Sequence, residues 1–262
     1  MTLIFDLFRI PIILIRKIRV VCTILMMLSF NLVFSQKENN NSSPNFIVIL
    51  VDDQGWSGTS VQMKKGDVSS MSDYHHTPNL EKLAAKGMRF SQAYSTSPVC
   101  APSRYSLQFG KSAARLNMIR VQMNTDHIDH TTKMTIPKIL KKVNPKYVTA
   151  HFGKWGMGIS NSKMGFNFGV HPSVLGYDYS DGKTTNGDGG FQPPEWKFST
   201  SEDPKKIYSL TQRSITFIEQ QSKSKNPFYL QLSHYAVHSN IQATKRSLEK
   251  YEKKEKGKIH KN

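Results

Sequence analysis

From Asn45 to Val51 the chain reads Asn-Phe-Ile-Val-Ile-Leu-Val, a continuous apolar run without the alternation of a strand that has one wet face. A run of that length, stopped by Asp52-Asp53-Gln54-Gly55, predicts a buried strand of a parallel sheet. Tyr147 to Phe152 and Pro227 to Ser233 repeat the pattern, and amphipathic stretches lie between them. Parallel neighbours need long crossovers, normally helical. Thr77-Pro78 opens one helix, with Leu80, Leu83 and Ala84 on one face and Gly87 as its stop. Thr135 opens a second carrying Ile136, Ile139, Leu140 and Val143, and Ile207, Leu210, Phe217 and Ile218 outline a third. The fold class predicted is α/β, a mainly parallel central sheet flanked by helices. With 262 residues, 38% of them hydrophobic, the chain can build one substantial core but not two. Met88 to Tyr94 alternates enough to predict a further short strand. Residues 159–204, rich in Gly, Asn, Asp and Pro, predict a long loop region shaping a cleft.

The N-terminus has the pattern of an export signal. Arg9, Arg16, Lys17 and Arg19 precede the apolar run Val20 to Phe30, and Val33-Phe34-Ser35 before Gln36 has the small-residue character of a cleavage site. The run ends short of the ~20 residues a membrane span needs, so no stable span is expected after processing. The organisation predicted is a signal peptide over 1–35, a solvated linker over 36–44 and a folded domain over 45–262, in a periplasmic or secreted protein. Loss of the leader takes three from the formal charge of +17, to +14, and leaves Cys100 as the single cysteine, with no internal disulfide. So basic a chain favours acidic partners, and nucleic acid and sulfated glycans are both polyanions.

Two short stretches carry candidate chemistry. Asp52 and Asp53 place adjacent carboxylates at a strand exit, which suits a hard cation such as Ca²⁺ with its several oxygen ligands. An Asx turn or a helix cap needs only one aspartate and explains the pair less well. In Ser97-Pro98-Val99-Cys100-Ala101-Pro102-Ser103-Arg104 the thiol sits at the start of a predicted helix, where unpaired N–H groups favour developing negative charge. A lone cysteine there is a small buried hydrophobe, a leftover thiol or a nucleophile. His127 and His130 fall in a polar stretch expected to be an exposed loop. His234 and His238 are spaced like a zinc pair but lack the helix and glutamate of that motif.

Cys-x-Pro-Ser-Arg at 100–104 resembles the sulfatase maturation motif. The strand ending in Asp-Asp, Thr77-Pro78-Asn79-Leu80, Leu83-Ala84-Ala85-Lys86-Gly87 and Arg89-Phe90-Ser91-Gln92-Ala93-Tyr94 resemble the sulfatase segment ahead of that cysteine, in the same order. The resemblance implies an alkaline phosphatase/sulfatase-like fold and a Cα-formylglycine made from Cys100 by a formylglycine-generating or other sulfatase-maturating enzyme. It also implies a Ca²⁺ held by Asp52, Asp53 and the group at 100. Arg104 and Lys154 then face the sulfuryl oxygens, His238 protonates the leaving oxygen, and Ser180 contacts substrate. The activity implied is sulfuric ester hydrolysis of a sulfated carbohydrate or aryl sulfate, with no nucleic acid partner. A phosphonate or phosphodiester hydrolase, and a non-catalytic binder of sulfated glycans, are the alternatives. Gly156 is a departure, because Gly-Lys-Trp-His is the usual family sequence and glycine cannot supply the histidine. The family's later Asp-Asn metal pair, further lysine and smaller C-terminal domain have no match in 262 residues, so an incomplete N-terminal catalytic domain is expected.

Overall fold

A computed structural model describes residues 43–259 except 122, 124, 162–165 and 192–197. The predicted signal peptide, and the predicted linker apart from Ser43 and Pro44, lie outside the described residues. Ser43–Asn262 forms one compact unit.

The chain order of the larger elements is β1 (Phe46–Leu50), α1 (Pro78–Lys86), α2 (Cys100–Phe109), α3 (Ile136–Val143), β2 (Val148–Gly153), β3 (Gly158–Asn161), β4 (Phe166–Gly169), β5 (Tyr179–Ser180), β6 (Ser199–Thr200), α4 (Ile207–Ser224), β7 (Phe228–Ser233), β8 (Gln242–Ala243) and α5 (Lys245–Glu252). The central sheet has the order β1-β7-β2-β5, and all three of its pairings are parallel. The α/β expectation holds. The 159–204 stretch is more structured than a loop, because β3 and β4 form an antiparallel hairpin and β5 extends the central sheet.

Register fixes where chemistry can gather. Leu50, Ser233 and Gly153 lie in one row, so β1, β7 and β2 end together. Carboxyl ends of parallel strands are where open α/β sheets place ligands. The row is tight. Gly153 has φ +93, and a Cβ there would come within 2.0 Å of the Ser233 carbonyl oxygen. Only glycine lets β2 turn so close to β7.

Two apolar clusters cover the sheet. One joins Tyr105 and Phe109 of α2 to Trp155, Met157, Leu175, Tyr177 and Tyr229. The other packs Leu210 and Phe217 of α4 on Phe152, Phe228, Leu230 and Leu232. Each such side chain contributes about 1.5–3 kcal/mol by leaving water. Inside the first cluster, Gln108 Nε2 donates to Gln231 Oε1 at 2.8 Å, and the Tyr177 hydroxyl lies 2.8 Å from that same oxygen. This dry network pins α2 against β7. Burial there pushes the Tyr229 hydroxyl up to about 12.

Four expectations are corrected. β1 is parallel but not buried: Ile47, Ile49 and Val51 are exposed, and β7 is its sole strand neighbour among the described residues. Met88 to Tyr94 forms no strand, since no neighbour supplies the ladder bonds a strand requires, and Met88, Phe90 and Tyr94 lie exposed. Of the four predicted core positions of α3, Ile136 and Leu140 pack on the core, whereas Ile139 and Val143 face outward. α1 forms over the predicted residues but buries none of them.

Candidate active site

Asp52 is the centre of the site. Leu50 and Asp52 bond β7's continuation, through His234 N–H to the Leu50 carbonyl and Asp52 N–H to the Ala236 carbonyl, both at 2.8 Å. Beyond β1, Asp53 takes the left-handed φ of +57, so the two neighbouring carboxylates diverge. Asp52 points inward at 6% exposure, whereas the Asp53 side chain is 57% exposed.

α2 brings the next pair. Val99 is extended and caps the helix, Cys100 is its first residue, and Gly110 closes it in the left-handed conformation. Residues four apart share a helix face, so Cys100 and Arg104 look the same way. Together with Asp52, Asp53, Gln54 and Ser97 they line a pocket of about 300 Å³. Cys100 is a free, half-buried thiol.

β2 supplies the third element. Past Gly153 the chain bonds Lys154 N–H to the Ser233 carbonyl at 2.8 Å and sends the side chain inward, 1% exposed. Its ammonium pairs directly with Asp52 Oδ2. Arg104 Nη2 lies 3.3 Å from Asp52 Oδ1, and Arg104 Nη1 donates to the Lys154 carbonyl at 2.5 Å. One buried carboxylate therefore carries two cations. Arg104 Nε is buried without a hydrogen-bond partner.

His238, after β7, approaches from the other side. Its Nε2 is 3.8 Å from Asp53 Oδ2 and 3.4 Å from Asn186 Nδ2, while its Nδ1 faces the Ser239 carbonyl at 2.7 Å. A neutral imidazole in that setting donates from Nδ1 and leaves the Nε2 lone pair toward the Asn186 amide. The structure thus gathers Asp52, Asp53, Cys100, Arg104, Lys154 and His238. Ser180 is elsewhere: on β5 it lies opposite His151 of β2, and its hydroxyl oxygen accepts from Gly182 N–H at 3.3 Å. His234 is half-buried, and that partial burial lowers its proton affinity. His127 ties to the Leu116 carbonyl at 2.9 Å, and His130 packs on Tyr105 and Phe109 as a half-buried ring.

Gly156 has a structural account. Its φ is +61, and a Cβ there would stand 3.0 Å from Arg104 Cδ, so the arginine stem runs through the space a side chain would take. His151 does not fill the gap. It is fully buried, bonds Ser233 Oγ through Nε2 at 3.1 Å, and is pushed down to about 3 by burial and by Arg104.

Lys205 is the residue that sequence reasoning missed. It is buried in a left-handed pair with Lys206, and its Nζ donates at 3.1 Å to the same Ser239 carbonyl that His238 Nδ1 faces. Burial lowers its pKa first, Lys154 lowers it further, and Asp52 raises it. Nothing in Asp203-Pro204-Lys205-Lys206 announces a buried cation, since left-handed turns usually advertise themselves through glycine or asparagine.

As they stand, the residues do not fit a divalent cation. Ca²⁺ takes six to eight oxygens, yet both Asp52 oxygens are engaged and Asp53 turns away. Among the described residues no group of three or more His, Cys, Asp or Glu side chains is placed to hold a metal ion. No helix among those residues is long and apolar enough to cross a membrane.

A parallel α/β sheet with acid, thiol and buried cations at its carboxyl edge defines the class. The chain belongs to the sulfatase family, whose profile it matches over residues 44–261. It is similar to arylsulfatase G of Rattus norvegicus, 28% identical over 242 residues, covering 76% of this chain and 42% of that protein. It is also similar to N-acetylgalactosamine-6-sulfatase of Mus musculus, 29% identical over 232 residues, covering 78% of this chain and 42% of that protein. In fold it resembles the putative sulfatase yidJ of Bacteroides fragilis, with a TM-score of 0.58 at 19% identity, covering 84% of this chain and 50% of that one. The chain spans about two fifths of the length of the curated relatives it matches.

Proposed function

We propose that this site belongs to a sulfuric ester hydrolase that works through a formylglycine made from Cys100, in an exported protein. The observation that carries the reading is the shared helix face of Cys100 and Arg104, opening on a pocket beside Asp52 and Lys154. The hydrated aldehyde at 100 presents two hydroxyls at a helix N-terminus, where the macrodipole favours an oxyanion. One hydroxyl attacks sulfur and the ester O–S bond breaks. Arg104 and Lys154 offset the charge on the sulfuryl oxygens. The proton of the attacking hydroxyl passes to Nε2 of His238, whose ring is oriented through Nδ1 by the Ser239 carbonyl, and from there to the departing alcohol. The second hydroxyl of the hydrate then loses its proton, the aldehyde re-forms and sulfate leaves, an escape closed to a plain serine ester.

A sulfated carbohydrate is the favoured substrate class. The family includes a relative named for a sulfated amino sugar, and the chain carries a large positive charge that draws a polyanion. The test is co-expression with a maturation enzyme, an intact-peptide mass across position 100, and turnover of sulfate against phosphate esters. Aldehyde at 100 with multiple turnover of a sulfate ester is expected, and Cys100→Ser and Cys100→Ala should both lose it. Sustained turnover by either variant contradicts the mechanism, and preference for a phosphate diester selects the neighbouring hydrolase class.

A further inference from the structure

Asp52 is neutralised before any ligand arrives. Its Oδ2 takes the Lys154 ammonium and its Oδ1 lies 3.3 Å from Arg104 Nη2, and all three side chains are buried. A buried ammonium depends on its counterion, because an unpaired charge out of water is strongly unfavourable. Among the described residues Asp52 is the one carboxylate paired with Lys154. Asp53 takes no part in that pairing. Its left-handed backbone turns the carboxylate outward, toward His238 Nε2 at 3.8 Å. A divalent ion bridging the two aspartates must therefore take the Asp52 oxygens from Lys154. The surroundings weigh against its entry. Arg104 is fixed in place by the Lys154 carbonyl, and the buried Lys205, bonded to the Ser239 carbonyl, adds a further positive charge on the same side.

We propose that Lys154 is the resident counter-cation of Asp52, so that its ammonium and a divalent cation compete for one carboxylate, and the metal gains the aspartate pair only as the lysine leaves. The competition is independent of the reaction the site performs. Its test reads cation affinity rather than hydrolysis, so failure here and failure of the sulfatase reading are separate results.

Calcium titration of the purified chain, by calorimetry and by thermal melting, examines the proposal directly. The unaltered chain should bind Ca²⁺ no more tightly than about 0.1–1 mM, the weak end of protein calcium sites. Lys154→Met should melt lower without calcium, bind it at least ~10-fold more tightly, and recover stability when it is added. Adding Asp53→Asn should remove that gain, and Lys154→Arg should behave as the unaltered chain. Binding by the unaltered chain tighter than about 10 μM, or no gain in Lys154→Met, overturns the proposal. Should Lys154→Met fail to fold, ¹⁵N spectra of the lysine ammonium groups and ¹³C spectra of the aspartate carboxyl groups in the unaltered chain decide. Concerted movement of Lys154 and Asp53 signals at millimolar Ca²⁺, or no movement at all, is expected. Movement of Asp53 with Lys154 fixed overturns it.

Discussion

β7 and β1 lie side by side in one sheet and β1 is the more apolar of the two, yet every residue of Phe228–Ser233 is buried whereas Phe46, Ile47 and Ile49 are exposed. The helices divide the same way. α4 buries Leu210 and Phe217 against β2 and β7, whereas α1 buries nothing. β7 has a strand on each side and an apolar cluster on each face. β1 has one strand, and only Val48 packs on the first cluster. Burial in a parallel sheet is thus decided by the number of neighbours, not by the apolar content of the strand. The site straddles the border. Asp52 follows the bare strand, while Lys154 and His238 come from the covered half, so the Asp52 ion pairs join the two.

The contrast predicts unequal responses to substitution. The largest belongs to the covered half. Leu230 is fully buried in the cluster that also holds Phe152 and Phe217, and Leu230→Ala should lower the unfolding free energy by about 2–5 kcal/mol in a urea titration. A loss under 1 kcal/mol would mean that this half is packed no better than the other.

Acid should act on the same half. His151 sits in the covered sheet with its pKa pushed down to about 3, against an ordinary value of 6.5. Between those values the unfolded chain binds the extra proton, so stability is complete above pH 6.5 and falls as pH drops toward 3. At pH 5 the loss from this one group is about 2 kcal/mol. His151→Gln should flatten the slope of urea midpoint against pH, and an unchanged slope would locate the acid sensitivity elsewhere.

Gln108→Met comes next. It leaves Gln231 and the Tyr177 hydroxyl short of a partner in the buried network, a loss of about 1–2 kcal/mol. Because the network anchors α2, native-state amide hydrogen exchange should show α2 losing protection while α4 keeps its own.

The unequal halves explain what was legible in the sequence. The runs at Asn45, Tyr147 and Pro227 announced strands because apolar content and length are local properties. Whether a strand is central or at an edge depends on partners far along the chain, so Ile47 and Ile49 read as core and are not. The same reason defeats Met88 to Tyr94, whose alternation is real but unpaired. Asp52, Cys100, Arg104, Lys154 and His238 were legible because rare chemistry in fixed order is specific. Lys205 was not, since its burial follows from two consecutive left-handed residues and a carbonyl at Ser239. Ser180 was drawn in by a loose likeness, and the pairing of β5 with β2 takes it away from the pocket.

The smallest effect tests the bare strand itself. The Leu50 and Asp52 backbone bonds face β7, so the peptide groups of Ile47, Ile49 and Val51 turn to the open side. Ile49 is 57% exposed, and a lysine there keeps its ammonium in water while its stem covers the strand. Ile49→Lys should therefore change the unfolding free energy by no more than about 0.5 kcal/mol, as surface substitutions do. The measurement is the urea midpoint and slope beside those of Leu230→Ala, two aliphatic positions on adjacent strands. A loss above about 1 kcal/mol would mean that the outer face of β1 is covered in solution. The difference between the halves would then lie in what covers them rather than in whether they are covered.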